Sequence, residues 1–206
     1  MDLIRSHFPT LRPDQCERLE ILLREVPLLN ARVNVISRKD IAHLEERHLL
    51  HSLSIALAVR FAPESRIMDL GTGGGFPGIP LAVLFPHSEF VLVDSIGKKI
   101  RMVESLAGAL GLTNVRCLQA RAESLHTPFD FVVSRAVAPM KQLQEWSLGN
   151  IRKGGSSSRP NGLLALKGGD LRDELRQAGG RAEVIPLSQW IDLPFFSTKM
   201  LVYVKK

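Results

Sequence analysis

The feature that most constrains this chain lies between residues 67 and 78, where an apolar run meets an acid and then becomes rich in glycine. It reads Ile67-Met68-Asp69-Leu70-Gly71-Thr72-Gly73-Gly74-Gly75-Phe76-Pro77-Gly78. A strand ending at Leu70 and a helix opening at Pro77, which suits a first helical turn, place the glycines in the connecting turn. Glycine there lets the backbone take positive φ and approach a ligand, while the first helical amides remain free to donate to it. A tight turn that binds nothing is a weak alternative, because closely spaced glycines cost backbone entropy on folding. In an open α/β sheet such a turn sets a ligand site at the carboxyl end of the strand.

The rest of the chain supports that sheet. Short β-rich runs at Arg66–Leu70, Glu89–Asp94, Val115–Gln119, 130–134 and 163–167 alternate with segments mostly long enough for helices. Right-handed βαβ crossovers then build a mainly parallel sheet with helices on both faces. Residues 182–185 and 200–204 add two strands, close enough in sequence for an antiparallel pair at the sheet edge, so seven strands are expected. No strand signal precedes residue 66. Instead, a helix starts near Thr10 and Pro13, with Pro27 expected to break or kink it, and a second long helix capped by Asp40 is expected to run to about Phe61. The expected architecture is an α/β Rossmann-like fold. It comprises an N-terminal helical extension (1–62) and one compact cofactor-binding core (63–206). The Gly, Ser and Pro of KGGSSSRPNG, residues 153–162, mark a loop within that core.

Two cofactor readings compete at the glycine turn. Gly73, Gly75 and Gly78 satisfy G-x-G-x-x-G, with Asp94 about 20 residues on to hold a ribose of a dinucleotide. Asp69, Gly71, Gly73 and Gly75 also satisfy D-x-G-x-G-x-G, which resembles motif I of class I S-adenosylmethionine methyltransferases. That resemblance implies Asp69 near the methionine moiety, Asp94 on the ribose, and Arg121-Ala122-Glu123 near the adenine. Three features favour the methyltransferase. The chain of 206 residues is too short for a second nucleotide-binding half plus a substrate domain. Asp69 is an acid where a diphosphate would repel one. An acidic residue, Glu123, follows the third strand.

The resemblance narrows further. Residues 71–81, GTGGGFPGIPL, are similar to the signature of the bacterial small-subunit ribosomal RNA guanine-N7 methyltransferases, the glucose-inhibited division protein B family. Pro80 makes this more specific than motif I alone. Asn30, Asn34, Arg47-His48-Leu49-Leu50, Ser52, Asp94-Ser95, Lys98-Lys99, residues 130–138 (DFVVSRAVA) and Leu166-Lys167-Gly168 agree in order, so the likeness covers nearly the whole chain. It implies S-adenosyl-L-methionine as cofactor, with Gly71, Phe76, Ala122, Glu123 and Arg135 in contact with it. It also implies 16S ribosomal RNA or the small ribosomal subunit as partner. Another RNA, a protein or a small molecule is the alternative substrate. The chain departs from the family pattern at His51, where an Asp is expected, at Lys199, where Arg is common, and in a longer loop over 154–162.

Guanine N7 carries an in-plane lone pair, so it can attack a sulfonium methyl without first losing a proton. Catalysis then rests on positioning, which agrees with the absence of a Ser-His, Cys or paired-carboxylate constellation. Arg135, just past the fourth strand, is the expected positioning residue, against the alternative of a surface arginine. Lys167, ending the fifth strand, is a candidate for neutralising phosphate or is simply solvated, and Lys98 and Lys99 open a helix. His48 lies on an apolar helix face and is expected to pack; His51 lies on a neighbouring face.

The 27 Lys and Arg against 21 Asp and Glu, a net charge of +6, suit a polyanionic partner. Arg32, Arg38, Lys39 and Arg47 make the extension a candidate RNA-contacting cap. Cys16 and Cys117 have no metal or disulfide spacing and are expected to be reduced thiols. No metal site and no membrane span are expected, and a cytoplasmic monomer is the resulting picture.

Overall fold

The computed structural model describes residues 1–135, 137–179 and 182–206; the side chain of Arg38, and Ala136 of the SRAVA run, lie outside the described residues. Seven strands form one sheet: β1 (Arg66–Leu70), β2 (Glu89–Asp94), β3 (Val115–Gln119), β4 (Phe131–Arg135), β5 (Gly162–Gly168), β6 (Ala182–Pro186) and β7 (Lys199–Lys205). Their order is β3-β2-β1-β4-β5-β7-β6. The first five pair in parallel, and β7 enters antiparallel between β5 and β6. The late strands thus form the expected antiparallel pair, with only β6 at the edge. The chain reverses direction across the sheet between β1 and β4, which opens a crevice at their carboxyl ends.

Strand alternation splits the core into two layers. Ile67, Phe90, Leu92, Phe131 and Val133 face one layer, and Met68, Val91, Val93 and Val132 face the other. Helices α1 (Asp2–His7), α2 (Pro13–Val33), α6 (Gly78–Leu84) and α7 (Gly97–Ala109) cover the first layer, while α8 (Met140–Ser147) and α9 (Arg172–Gln177) cover the second. Apolar burial on both faces explains why the parallel strands read as continuous hydrophobic runs.

The extension differs from expectation in two places. Helix α2 runs unbroken from Pro13 to Val33 through Pro27. An interior proline costs about 3 kcal/mol, but Leu19, Leu22, Val26 and Asn30 are buried at three- and four-residue spacing on both sides of it, and that packing holds the helix. The expected second helix is instead divided into α3 (Arg38–Ile41), a π-helical turn (Glu45–Leu50), α4 (His51–Leu53) and α5 (Ile55–Ala58). Ser37 caps α3 by accepting from the Asp40 amide at 3.1 Å, so Asp40 is not the cap; its carboxylate accepts from the Ser37 hydroxyl at 2.7 Å.

The loop over 154–162 straps the end of the extension to the sheet. Ser158 and Ser157 hydroxyls accept from the amides of Arg60 and Ala62 at 2.8 and 2.9 Å. Cys16 and Cys117 are free and half-buried.

Candidate functional site

A cavity of about 1020 Å³ opens at the carboxyl ends of β1, β2, β4 and β5, at the upper end of the usual range for small-molecule sites. Its floor is the glycine turn. Gly71 leaves β1 with φ +71°, and its amide donates to the Val93 carbonyl at 2.8 Å. A β-carbon on Gly71 would lie 2.5 Å from a Val137 methyl, so only glycine fits between the two loops. Gly73, at φ +57°, meets nothing closer than 3.6 Å and presents open backbone to the cavity.

Asp94 ends β2 beside this turn. One of its carboxylate oxygens accepts from the Gly73 amide at 3.1 Å and the other from Ile96 at 2.9 Å, while Lys99 pairs with it at 3.5 Å. The acid therefore ties the glycine turn to the second strand and still lines the cavity. Ala122 and Glu123, in a 3₁₀ turn after β3, form the adjoining wall, the first buried and the second exposed.

Asp69 and Gly75 do not line the cavity. Asp69 is fully buried behind the turn, where one oxygen accepts from the Thr72 hydroxyl at 2.7 Å and the Gly78 amide at 2.8 Å. Burial lifts its carboxyl to about 6, against the pull of those two donors. Its other oxygen has no partner.

Arg135 leaves β4 into the centre of the cavity wall. Its guanidinium donates to His48 Nδ1 at 2.9 Å and to the carbonyls of His48 and Arg47 at 3.4 and 3.5 Å, and lies 5.2 Å from the centroid of the Phe76 ring. His48 meets the same ring edge-on at 5.5 Å. Burial lowers the guanidinium to about 10, so it stays charged at neutral pH. Burial, and then the Arg135 charge, lower His48 to about 4, so the imidazole is neutral and accepts at Nδ1. Arg135 is thus pinned between core and extension, unlike a surface arginine. Asn30 sets the neighbouring part of the extension: its carboxamide oxygen accepts from the amides of Val35 and Ile36, both at 2.8 Å, and turns those cavity-lining residues inward.

Lys167 lines the cavity but is neither solvated nor available as a free charge. Its ammonium donates to Glu174 at 2.5 Å and to the Ala138 carbonyl at 2.6 Å, with only 9% of the side chain exposed. The sequence reading missed Glu174 because it lies on α9, beyond any local motif. Of the basic residues of the extension with described side chains, Arg47 lines the cavity, whereas Arg32 and Lys39 are exposed outside it. His51 is buried, edge-on to Phe195 at 5.5 Å and Phe196 at 5.8 Å.

The donor set suits a cofactor with a diol and an adenine. Open glycine backbone, the Asp94 carboxylate and the 3₁₀ turn at Glu123 share one wall. Among the described residues no group of three or more His, Cys, Asp or Glu side chains is placed to hold a metal, and no helix is long and apolar enough to cross a membrane.

The chain is similar to known proteins along nearly its whole length. The family model described as rRNA small subunit methyltransferase G matches residues 15–191. Ribosomal RNA small subunit methyltransferase G of Christiangramia forsetii is 48% identical over 204 residues, covering 99% of this chain and 96% of its own. The protein of the same name from Cytophaga hutchinsonii is 44% identical, covering 99% of each chain. Among solved structures, a SAM-dependent methyltransferase from Aquifex aeolicus superposes with a TM-score of 0.55 at 17% identity, over 82% of this chain and 97% of that one. MtNAS in complex with MTA and tNA superposes with a TM-score of 0.62 at 15% identity, over 91% and 70%. These two likenesses establish the fold.

Proposed function

Because the chain belongs to the rRNA small subunit methyltransferase G family, we propose that it transfers a methyl group from S-adenosyl-L-methionine to N7 of a guanine in 16S ribosomal RNA. The observation that carries this reading is the convergence of Gly73, Asp94 and Arg135 on one cavity whose opposite wall is the helical extension.

The cofactor supplies an electrophilic methyl on a positively charged sulfur. Gly71, Gly73, Phe76, Asp94, Ala122 and Glu123 would hold it, Asp94 through the ribose and Glu123 through the adenine. Asp69 and Gly75 act from behind by fixing the turn. Arg135 positions the guanine against the methyl. A guanidinium directed at O6 would leave the N7 lone pair free, and no general base would be needed. The neutral, weakly basic His48 agrees with that chemistry, because no step asks it to take a proton. Lys167 supports the Ala138 segment through its pair with Glu174 and does not meet phosphate. Residues 1–62 serve as an extension that walls the substrate side of a 63–206 core. The protein is read as a monomer that acts in the cytoplasm with its ribosomal partner.

The test is transfer of radiolabelled methyl to small-subunit ribosomal RNA and to assembled subunits, followed by nuclease digestion and mass identification of the nucleoside. Label in 7-methylguanosine is expected. Label only in another RNA, a protein or a small molecule overturns the substrate.

A further inference from the structure

Lys199 opens β7, and its ammonium stands 4.6 Å from the centroid of Phe195; the guanidinium carbon of Arg47 lies 5.7 Å from the same centroid. The two cations are therefore at most about 10 Å apart, although they come from the extension and the last strand. All three residues line the cavity. Cation–π contact holds both charges on one ring.

Their combined charge is only partly compensated. Among the described residues Lys199 has no carboxylate within 4.0 Å, and Arg47 reaches only Asp40, at 3.4 Å. Next to them His51, 6% exposed, packs on Phe195 and also lines the cavity. Its Nε2 and the Nε of Arg47 are buried without a hydrogen-bond partner. These two atoms are polar capacity on one cavity wall that the protein itself leaves unused. Burial and the neighbouring cations keep the His51 ring uncharged, which leaves the positive charge here to Arg47 and Lys199.

We propose that Arg47 and Lys199, held over Phe195, clamp a backbone phosphate of the RNA strand that carries the target guanine. The clamp rests on the ribosomal RNA reading above and adds to it the residues that grip the strand. A ring already covered by cations favours phosphate over a stacked base. Lys199 contributes a point charge and Arg47 a planar fork, the two common forms of phosphate contact.

The full-length chain is titrated with a single-stranded small-subunit rRNA fragment from 50 to 200 mM salt, and cofactor affinity is measured alongside. Each phosphate contact adds about 0.7 to the slope of log K against log salt on a single strand. Lys199→Gln is expected to lower that slope by about 0.7 and raise KM for RNA several-fold, with cofactor Kd unchanged; Lys199→Arg is expected to restore both. A wild-type slope in Lys199→Gln overturns the clamp. Lost cofactor affinity with an unchanged slope also overturns it, and assigns the cluster to the cofactor carboxylate. Methyl transfer by the wild-type chain is scored separately, so a wrong substrate and a wrong clamp give different results.

Discussion

The guanidinium of Arg135 donates to Nδ1 of His48 across 2.9 Å, joining the end of β4 to the π-helical turn of the extension, 87 residues away in sequence. Through this bond Arg135, proposed to position the substrate, takes its orientation from the helical extension.

Arg135→Ala should lower the single-turnover rate of methyl transfer by on the order of 100-fold, the usual effect of removing one positioned donor at a reacting centre. Folding stability should fall less steeply, by about 1–3 kcal/mol for the imidazole nitrogen that loses its 2.9 Å partner, the carbonyl contacts at 3.4 and 3.5 Å adding little. Rates compared at temperatures where both proteins are fully folded check this. Equal rates would remove Arg135 from the reaction.

Gly71 and Gly73 should respond differently to alanine. At Gly71 the new methyl meets Val137 at 2.5 Å on a backbone with φ +71°, so both stability and cofactor affinity should drop. At Gly73 the methyl has room, with its nearest neighbour at 3.6 Å. There the stability cost should stay near the roughly 1 kcal/mol of a left-handed alanine, while cofactor affinity falls because the methyl projects into the cavity. Thermal unfolding and equilibrium cofactor titration of the two variants separate these outcomes.

Acid should destabilise the protein through its histidines. His48 is lowered to about 4 from 6.5 and His51 well below 6.5, so the unfolded chain binds more protons than the folded one below pH 6.5. Their stabilising contribution is complete above pH 6.5 and is lost as pH falls, with His48 finished by about 4. Asp69 opposes them: raised to about 6 from 3.8, it is protonated earlier in the folded state, so its effect favours the folded state as pH falls from 6 toward 3.8. Two histidines against one carboxyl leave a net loss of up to about 1.4 kcal/mol per pH unit between 6 and 4. Urea unfolding at a series of pH values should show this loss, steeper in Asp69→Asn and shallower in His48→Gln. A flat wild-type profile would mean that these groups titrate normally.

The sheet, its seven strands, the glycine turn and the family are legible before folding, because each is written in local patterns: short β-rich runs between helical stretches, glycines after an apolar run, an acid at the next strand end. Asp94 was found by its place in those patterns and Phe76 and Glu123 through the family resemblance, and all three line the cavity. Only the tertiary structure decided what local signals cannot carry. Pro27 signals a break, yet packing on both sides carries α2 through it. Lys167 resembles a free rim charge until α9 brings Glu174 to 2.5 Å. Arg47, Phe195 and Lys199 meet only because β7 lies beside β5, at the strand ends the extension covers. In each case the deciding energy is a contact between different elements, even for Lys167 and Glu174, only seven residues apart, and it exists only after those elements have packed.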